Sequence, residues 1–269
     1  MKLDIKLDRP LADILPKEWR AVLPSNLDNA EFRNLRHFKN FVSTVTQKKD
    51  NMCDVSYAEA LRDLLSEKPL FSADKVEHIR NLVRANLLKR GLITKEIYDR
   101  YKYNVDGLIV DIGELNTGNP ECVLTPAHSY VNHFHELYIN ISYPYYVTNE
   151  TVVENAIKLL ATIEELERLH IFIKVSLVLV SQDLDTRNGK SLITTIPLFS
   201  HKDYKSVETM GAVVNDRLLR KFCFALFEDI YGSDLVSGYG EALNLPKTIN
   251  IGETLDEIDL FTEIQKGKR

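Results

Sequence analysis

The residues best able to hold a metal stand close together: His128, His133, His135 and Glu136. Imidazole nitrogen is a favoured zinc ligand, and a catalytic zinc site needs ligands that converge on one point. His133 and His135 are two positions apart, so on a strand they share one face. Glu136 then points to the opposite face, and His128 sits in a loop after Pro126. A metal-dependent enzyme is one reading of this cluster. A strand whose first residues meet solvent is the plainer one.

A second group of residues suits phosphate. Between Lys75 and Lys102 the bases Lys75, Arg80, Arg84, Lys89, Arg90, Lys95, Arg100 and Lys102 outnumber Asp74, Glu77, Glu96 and Asp99. Arg80 and Arg84 are four apart and share a helix face, and Tyr98, Tyr101 and Tyr103 follow. Basic groups interleaved with aromatics bind single-stranded nucleic acid through phosphate contacts and base stacking. The bland alternative is a solvated helix face with buried tyrosines. The formal charge of the whole chain, −5, argues against binding nucleic acid through its overall field.

Other chemistry is poorly served. No nucleophile-elbow pattern occurs. Cys223 lies among Phe222, Phe224 and Leu226, where a thiol is a core residue rather than a nucleophile. Gly232, Gly238 and Gly240 lack the strand-to-helix setting of a dinucleotide loop, and no Lys-Ser/Thr follows as in a P-loop. No cofactor is expected. The three cysteines, Cys53, Cys122 and Cys223, are scattered, as reduced thiols in a cytoplasm are. No apolar run has the length of a signal peptide or a membrane span, so no membrane partner is expected. With 44% hydrophobic residues the chain can bury a sizeable core.

The elements that must position these groups follow from periodicity. Residues 1–103 form a helical region. After an irregular start broken by Pro10, Pro16 and Pro24, with a short turn around Trp19, helices are predicted over 31–47, from Ser56 to Leu65, from Asp74 to the stop at Gly91, and over 94–101. Ser56 with Glu59 fits a capping box. Residues 104–127 read as loop. Residues 133–142 alternate in period two, a strand. Residues 151–170 carry the clearest apolar stripe, with Thr151 and Glu154 matching a capping box. Strands at 171–181 and 190–199 flank Asn188-Gly189, a hairpin signal. A helical stretch over 206–231 divides near Asn215-Asp216. A short strand at 248–251 and a helix at 254–265 close the chain.

This order resembles a von Willebrand factor A-like domain over 104–269. The likeness is carried by Leu137-Tyr-Ile-Asn140-Ile-Ser142-Tyr-Pro144, the long helix, the hairpin and the terminal strand and helix. The chain also resembles an uncharacterised family of phage and bacterial proteins, through Val110 to Cys122 and through Val207 to Glu228 with its Asp216-Arg-Leu-Leu-Arg-Lys221 stretch. The resemblance implies an α/β, mostly parallel, doubly wound sheet with one antiparallel edge hairpin. The A-like fold often holds a divalent cation through Asp-x-Ser-x-Ser at the end of its first strand. The matching positions here read Asn140, Ser142 and Pro144, a degenerate metal site.

The expected function is therefore a non-enzymatic adaptor, encoded by a phage and working in the bacterial cytoplasm. It engages a protein partner at the C-terminal edge of the sheet, where open α/β sheets bind ligands. Asn140, Ser142, Tyr143 and Tyr145 are the partner-binding candidates. The alternatives are a single-stranded nucleic-acid-binding factor using Arg80, Arg84, Lys89 and Arg90, and a metal enzyme using His128, His133 and His135.

Overall fold

A computed structural model describes residues 16, 18–19, 22–23, 27–45, 55–66, 72–93, 101–104, 109–110, 123–126, 133–144, 146–182, 190–214, 218–231 and 245–265, with backbone alone for 101–104, 109–110, 123–126 and 219–220. In chain order the strands are β1 (Leu27–Glu31), β2 (Tyr101–Asn104), β3 (Ile109–Val110), β4 (Val123–Pro126), β5 (His133–Asn140), β6 (Ile171–Gln182), β7 (Ser191–Phe199) and β8 (Thr248–Asn250). The α-helices are α1 (Leu35–Val42), α2 (Tyr57–Ser66), α3 (Ala73–Lys89), α4 (Asn149–Glu167), α5 (Val207–Val214), α6 (Phe224–Tyr231) and α7 (Glu257–Gln265). A π-helical stretch, Leu218–Cys223, leads directly into α6.

Five strands form the main sheet in the order β1-β7-β6-β5-β8. β5 runs parallel to both β6 and β8, and β1 runs parallel to β7. β6 and β7 are antiparallel, as the hairpin signal in the sequence predicts; Asn188 and Gly189 themselves lie outside the described residues. The fold is thus α/β with a mixed, mostly parallel sheet. The hairpin is not at the edge, however, because β1 lies outside β7.

β1 is a strand that the expectation of a mostly helical N-terminal region did not include. Its sequence, Leu-Asp-Asn-Ala-Glu, has little intrinsic strand preference. It is held by its ladder to Ser191 through Thr195, extended by the Phe32 amide donating to the Thr195 carbonyl at 3.0 Å. Only then does Asn34 cap α1, its Oδ1 accepting from the His37 amide at 2.9 Å.

The other helices begin where short polar side chains meet orphan amides. Ser56 Oγ accepts from the Glu59 amide, and Ser72 Oγ from the Lys75 amide, both at 3.3 Å. The cap of α4 is Thr148 rather than Thr151, its Oγ1 accepting from the Thr151 amide at 3.2 Å. α7 starts later than expected because Asp256 caps it, accepting from the Ile258 and Asp259 amides. α3 stops at Gly91, whose φ of 67° is open to glycine at little cost. Part of the expected loop 104–127 forms strand: β2, β4 and β3 make a separate antiparallel sheet. The predicted helix over 94–101 and the break at Asn215-Asp216 lie largely or wholly outside the described residues, although Tyr101 opens β2.

The two faces of the main sheet differ. Leu137, Ile139 and Ile141, with Ile171, Ile173, Val175, Leu177 and Leu179, join one core that takes in residues of every described helix. α4 packs centrally there, against α3, α5 and α7. The other face carries a small cluster of Trp19, Leu27, Val178, Val180, Ile193 and Leu245. Trp19 stands edge-on to Tyr138 and donates its indole N–H to the Pro246 carbonyl at 2.7 Å. Among the described residues the helices therefore form a single layer, not the two layers of a doubly wound fold. Strand residues explain this: both faces of β6 are apolar at its C-terminal half, but Phe172 and Lys174 leave the second face half open at its start. No helix among the described residues is long and apolar enough to cross a membrane.

Candidate functional site

The C-terminal end of β5 is closed by its own polar side chains. Asn140 is fully buried, and its Oδ1 accepts from the Ser142 amide at 2.9 Å. Ser142 is also buried, and its Oγ accepts from the Val180 amide of β6 at 3.3 Å. Both side chains thus serve the backbone. Across the crevice, Asn155 of α4 donates from Nδ2 to the carbonyls of Ile251 and Glu253, at 2.9 and 2.7 Å. That clamp pins the loop after β8 over the sheet.

The aromatic turn is divided. Tyr143, expected at a partner surface, is buried in the main core, with Gly252 directly against it. Tyr145 lies outside the described residues. Tyr146 is 72% exposed. Elsewhere, β8, the loop leading into α7 and the helix itself form an acidic recess of about 260 Å³, bearing Glu253, Asp256, Asp259 and Glu263.

The histidines part company. His133 is exposed and His135 half-buried at the start of β5, and His128 lies outside the described residues. The ring Nε2 of His201 lies 3.0 Å from the His135 carbonyl, and the same ring meets Phe134 edge-on. Among the described residues no group of three or more His, Cys, Asp or Glu is placed to share a metal ion. Cys223 is buried in the π-helical stretch, where burial pushes its thiol well above the usual range.

The basic face of α3 turns toward α4. Arg80 meets Glu164 at 2.5 Å, Lys75 meets Glu150 at 3.0 Å, and Arg84 lies 4.0 Å from Glu165. Lys89 and Arg90 end the helix exposed. Between α3, the end of α4 and the loop after β7 runs a cleft of about 550 Å³ lined almost wholly by charge. Its floor includes two buried ions. Lys205, 2% exposed, meets Glu167 at 2.6 Å and donates to the carbonyls of Ser200 and Asp203. Glu165, 5% exposed, accepts from Arg168 at 2.8 Å; its burial pushes its carboxyl above the usual carboxylate range, against the pull of Arg168 and Arg84.

A family model described as a domain of unknown function, DUF7192, matches residues 21–268. The chain belongs to the DUF7192 family. No curated protein and no solved structure matches it.

The charged cleft of this DUF7192 member was not apparent in the linear sequence. Glu164, Glu165, Glu167 and Arg168 look like the polar end of an amphipathic helix, and Tyr204 and Lys205 like a surface loop. One signal was available. Arg80 and Arg84 share a face at the same four-residue spacing that lets α3 lie along α4, and α4 ends in a run of glutamates.

Proposed function

We propose that the chain is a non-enzymatic interaction protein that holds a basic partner surface at the C-terminal edge of its main sheet. The observation that carries this reading is the closed end of β5. Asn140 and Ser142 are consumed by backbone amides, so the edge offers a surface rather than a ligand cage. Tyr146 follows β5 exposed, and the loop after β8 contributes Glu253 and Asp256 to an acidic recess. An exposed amphipathic aromatic and a cluster of acids each suit a partner bearing Lys or Arg.

We further propose a von Willebrand A-like architecture as part of this reading. The order β7-β6-β5-β8, with β7 antiparallel, follows the chain path that such a domain implies. The single helical layer is a departure from it. A phage or bacterial source remains part of the proposal, carried by the sequence likeness alone. The nucleic-acid alternative is weakened because Lys75 and Arg80 are paired with glutamates of α4, and Arg84 lies beside Glu165.

The test is capture from a lysate of the native host with wild-type chain, Tyr146→Ala and Asp259→Lys. One macromolecule retained by wild type, released by salt and lost with both variants is the expected result. Equal retention by all three chains, or none by wild type, defeats the reading.

A further inference from the structure

We infer that the cleft between α3 and α4 binds a small molecule through an oxyanion group, a phosphoryl or carboxylate, held between Arg84 and Arg168. The site is independent of the sheet edge.

The charge inventory singles out these two arginines. Arg80 is committed to Glu164 at 2.5 Å, and buried Lys205 to Glu167 and loop carbonyls. Among the described residues, Arg84 and Arg168 share one carboxylate oxygen between them. Glu165 Oε1 lies 2.8 Å from Arg168 and 4.0 Å from Arg84, the latter beyond hydrogen-bond reach. Both guanidinium groups remain part exposed, 37% and 44%, at the wall of the cleft. A guanidinium carries five donors in a planar fork, so most of this donor capacity faces the cleft unanswered by Glu165. A bidentate oxyanion is the acceptor such forks match.

Orphaned polar atoms at the same place point to a missing guest. Among the described residues, Arg80 Nε is a buried donor without an acceptor, which an oxyanion oxygen answers, and Glu165 Oε2 is a buried oxygen without a partner, which a hydroxyl or amide group of the same ligand answers. Leaving such groups unanswered is costly, and native folds seldom do so without a reason. Burial makes Glu165 reluctant to ionise, which lowers the negative charge that an incoming anion meets. The cleft, about 550 Å³, falls in the size range of small-molecule sites and exceeds what a bare ion needs. Glu77, Asn81 and Tyr204 line it further out and can receive hydroxyl or amide groups of the same ligand.

The experiment is calorimetric titration of the full chain at neutral pH with inorganic phosphate and, separately, with acetate. Saturable binding of either anion at one site is expected, and which one binds names the oxyanion. Arg84→Gln and Arg168→Gln should each weaken it about tenfold or more, the loss of a charge-assisted hydrogen bond. Lys89→Gln, on the same helix outside the cleft, should leave it unchanged. Arg168→Lys, which keeps the charge and is the gentler change, should weaken it by losing the fork. Glu165→Gln should retain or tighten binding. Absence of saturable binding by both anions, equal loss with Lys89→Gln, or abolition by Glu165→Gln in a folded chain each overturns the inference.

Discussion

The phenol of Tyr231, at the end of α6, donates to the carboxylate of Asp28, 203 positions earlier on β1. Its oxygen also lies 3.1 Å from the Ser191 carbonyl of β7, and Lys190 sits over its ring. Desolvation and the neighbouring Asp28 push the phenol above its usual range, so it stays a donor. One side chain thus joins the outermost strand to its neighbour and to the helical layer. Tyr231→Phe should cost about 1.5–3 kcal/mol in urea unfolding, the worth of a hydrogen bond to a charged group. Hydrogen exchange should rise first in β1; unchanged exchange there would refute its role as the strand's anchor.

Gly252 has no room for a side chain. A Cβ there would stand 2.4 Å from Tyr143 Cβ, closer than carbon atoms approach. Gly252→Ala should therefore destabilise the fold by about 1–3 kcal/mol, the usual cost of overpacking. Adding Tyr143→Gly, which removes the Cβ that would be struck, should relieve part of the clash and give a coupling energy in a double-mutant cycle, whereas Tyr143→Ala, which keeps that atom, should not. Strict additivity of the two changes would count against the contact.

The Asn155 clamp predicts an unusually severe isosteric change. Asn155→Asp replaces a donor with an anion facing the carbonyls of Ile251 and Glu253. A loss of about 3 kcal/mol or more is expected, because a buried charge then lacks its partners. Asn155→Ala should cost less, since it removes the donor without adding repulsion. Thermal unfolding of the two variants side by side checks the order.

Glu165 sets a pH dependence of defined sign. Its folded carboxyl is raised, mainly by desolvation. Between the ordinary carboxylate value, about 4.3, and the raised folded value, the native state holds more protons than the unfolded one. Stability from this group therefore falls as pH rises through that window and is level above it. Glu165→Gln removes the titration, so its stability relative to wild type should improve from acid to neutral pH. A constant difference across urea curves at several pH values would contradict this.

Cys223 should resist alkylation in the native chain and react on unfolding, since it is buried and its thiolate is disfavoured. Peptide mass mapping after iodoacetamide treatment, with and without urea, reads this directly at Cys223. Labelling of native protein at that residue would show that the π-helical stretch opens.

The sequence by itself determined the local elements whose signal is periodic or chemical. The alternation at 133–142, the apolar stripe of α4, the antiparallel pairing signalled by Asn188-Gly189 and the stop at Gly91 each act within a few residues, so spacing was enough. It also placed Cys223 in the core. Tertiary structure decided what depends on partners remote in the chain. β1 is a strand because β7 supplies its hydrogen bonds. Arg80 pairs with Glu164, across 84 positions, instead of facing solvent. Tyr143 is core because Gly252 leaves room for it. Charge and burial at these places are properties of juxtaposed elements, and no window along the chain contains both members of the pair.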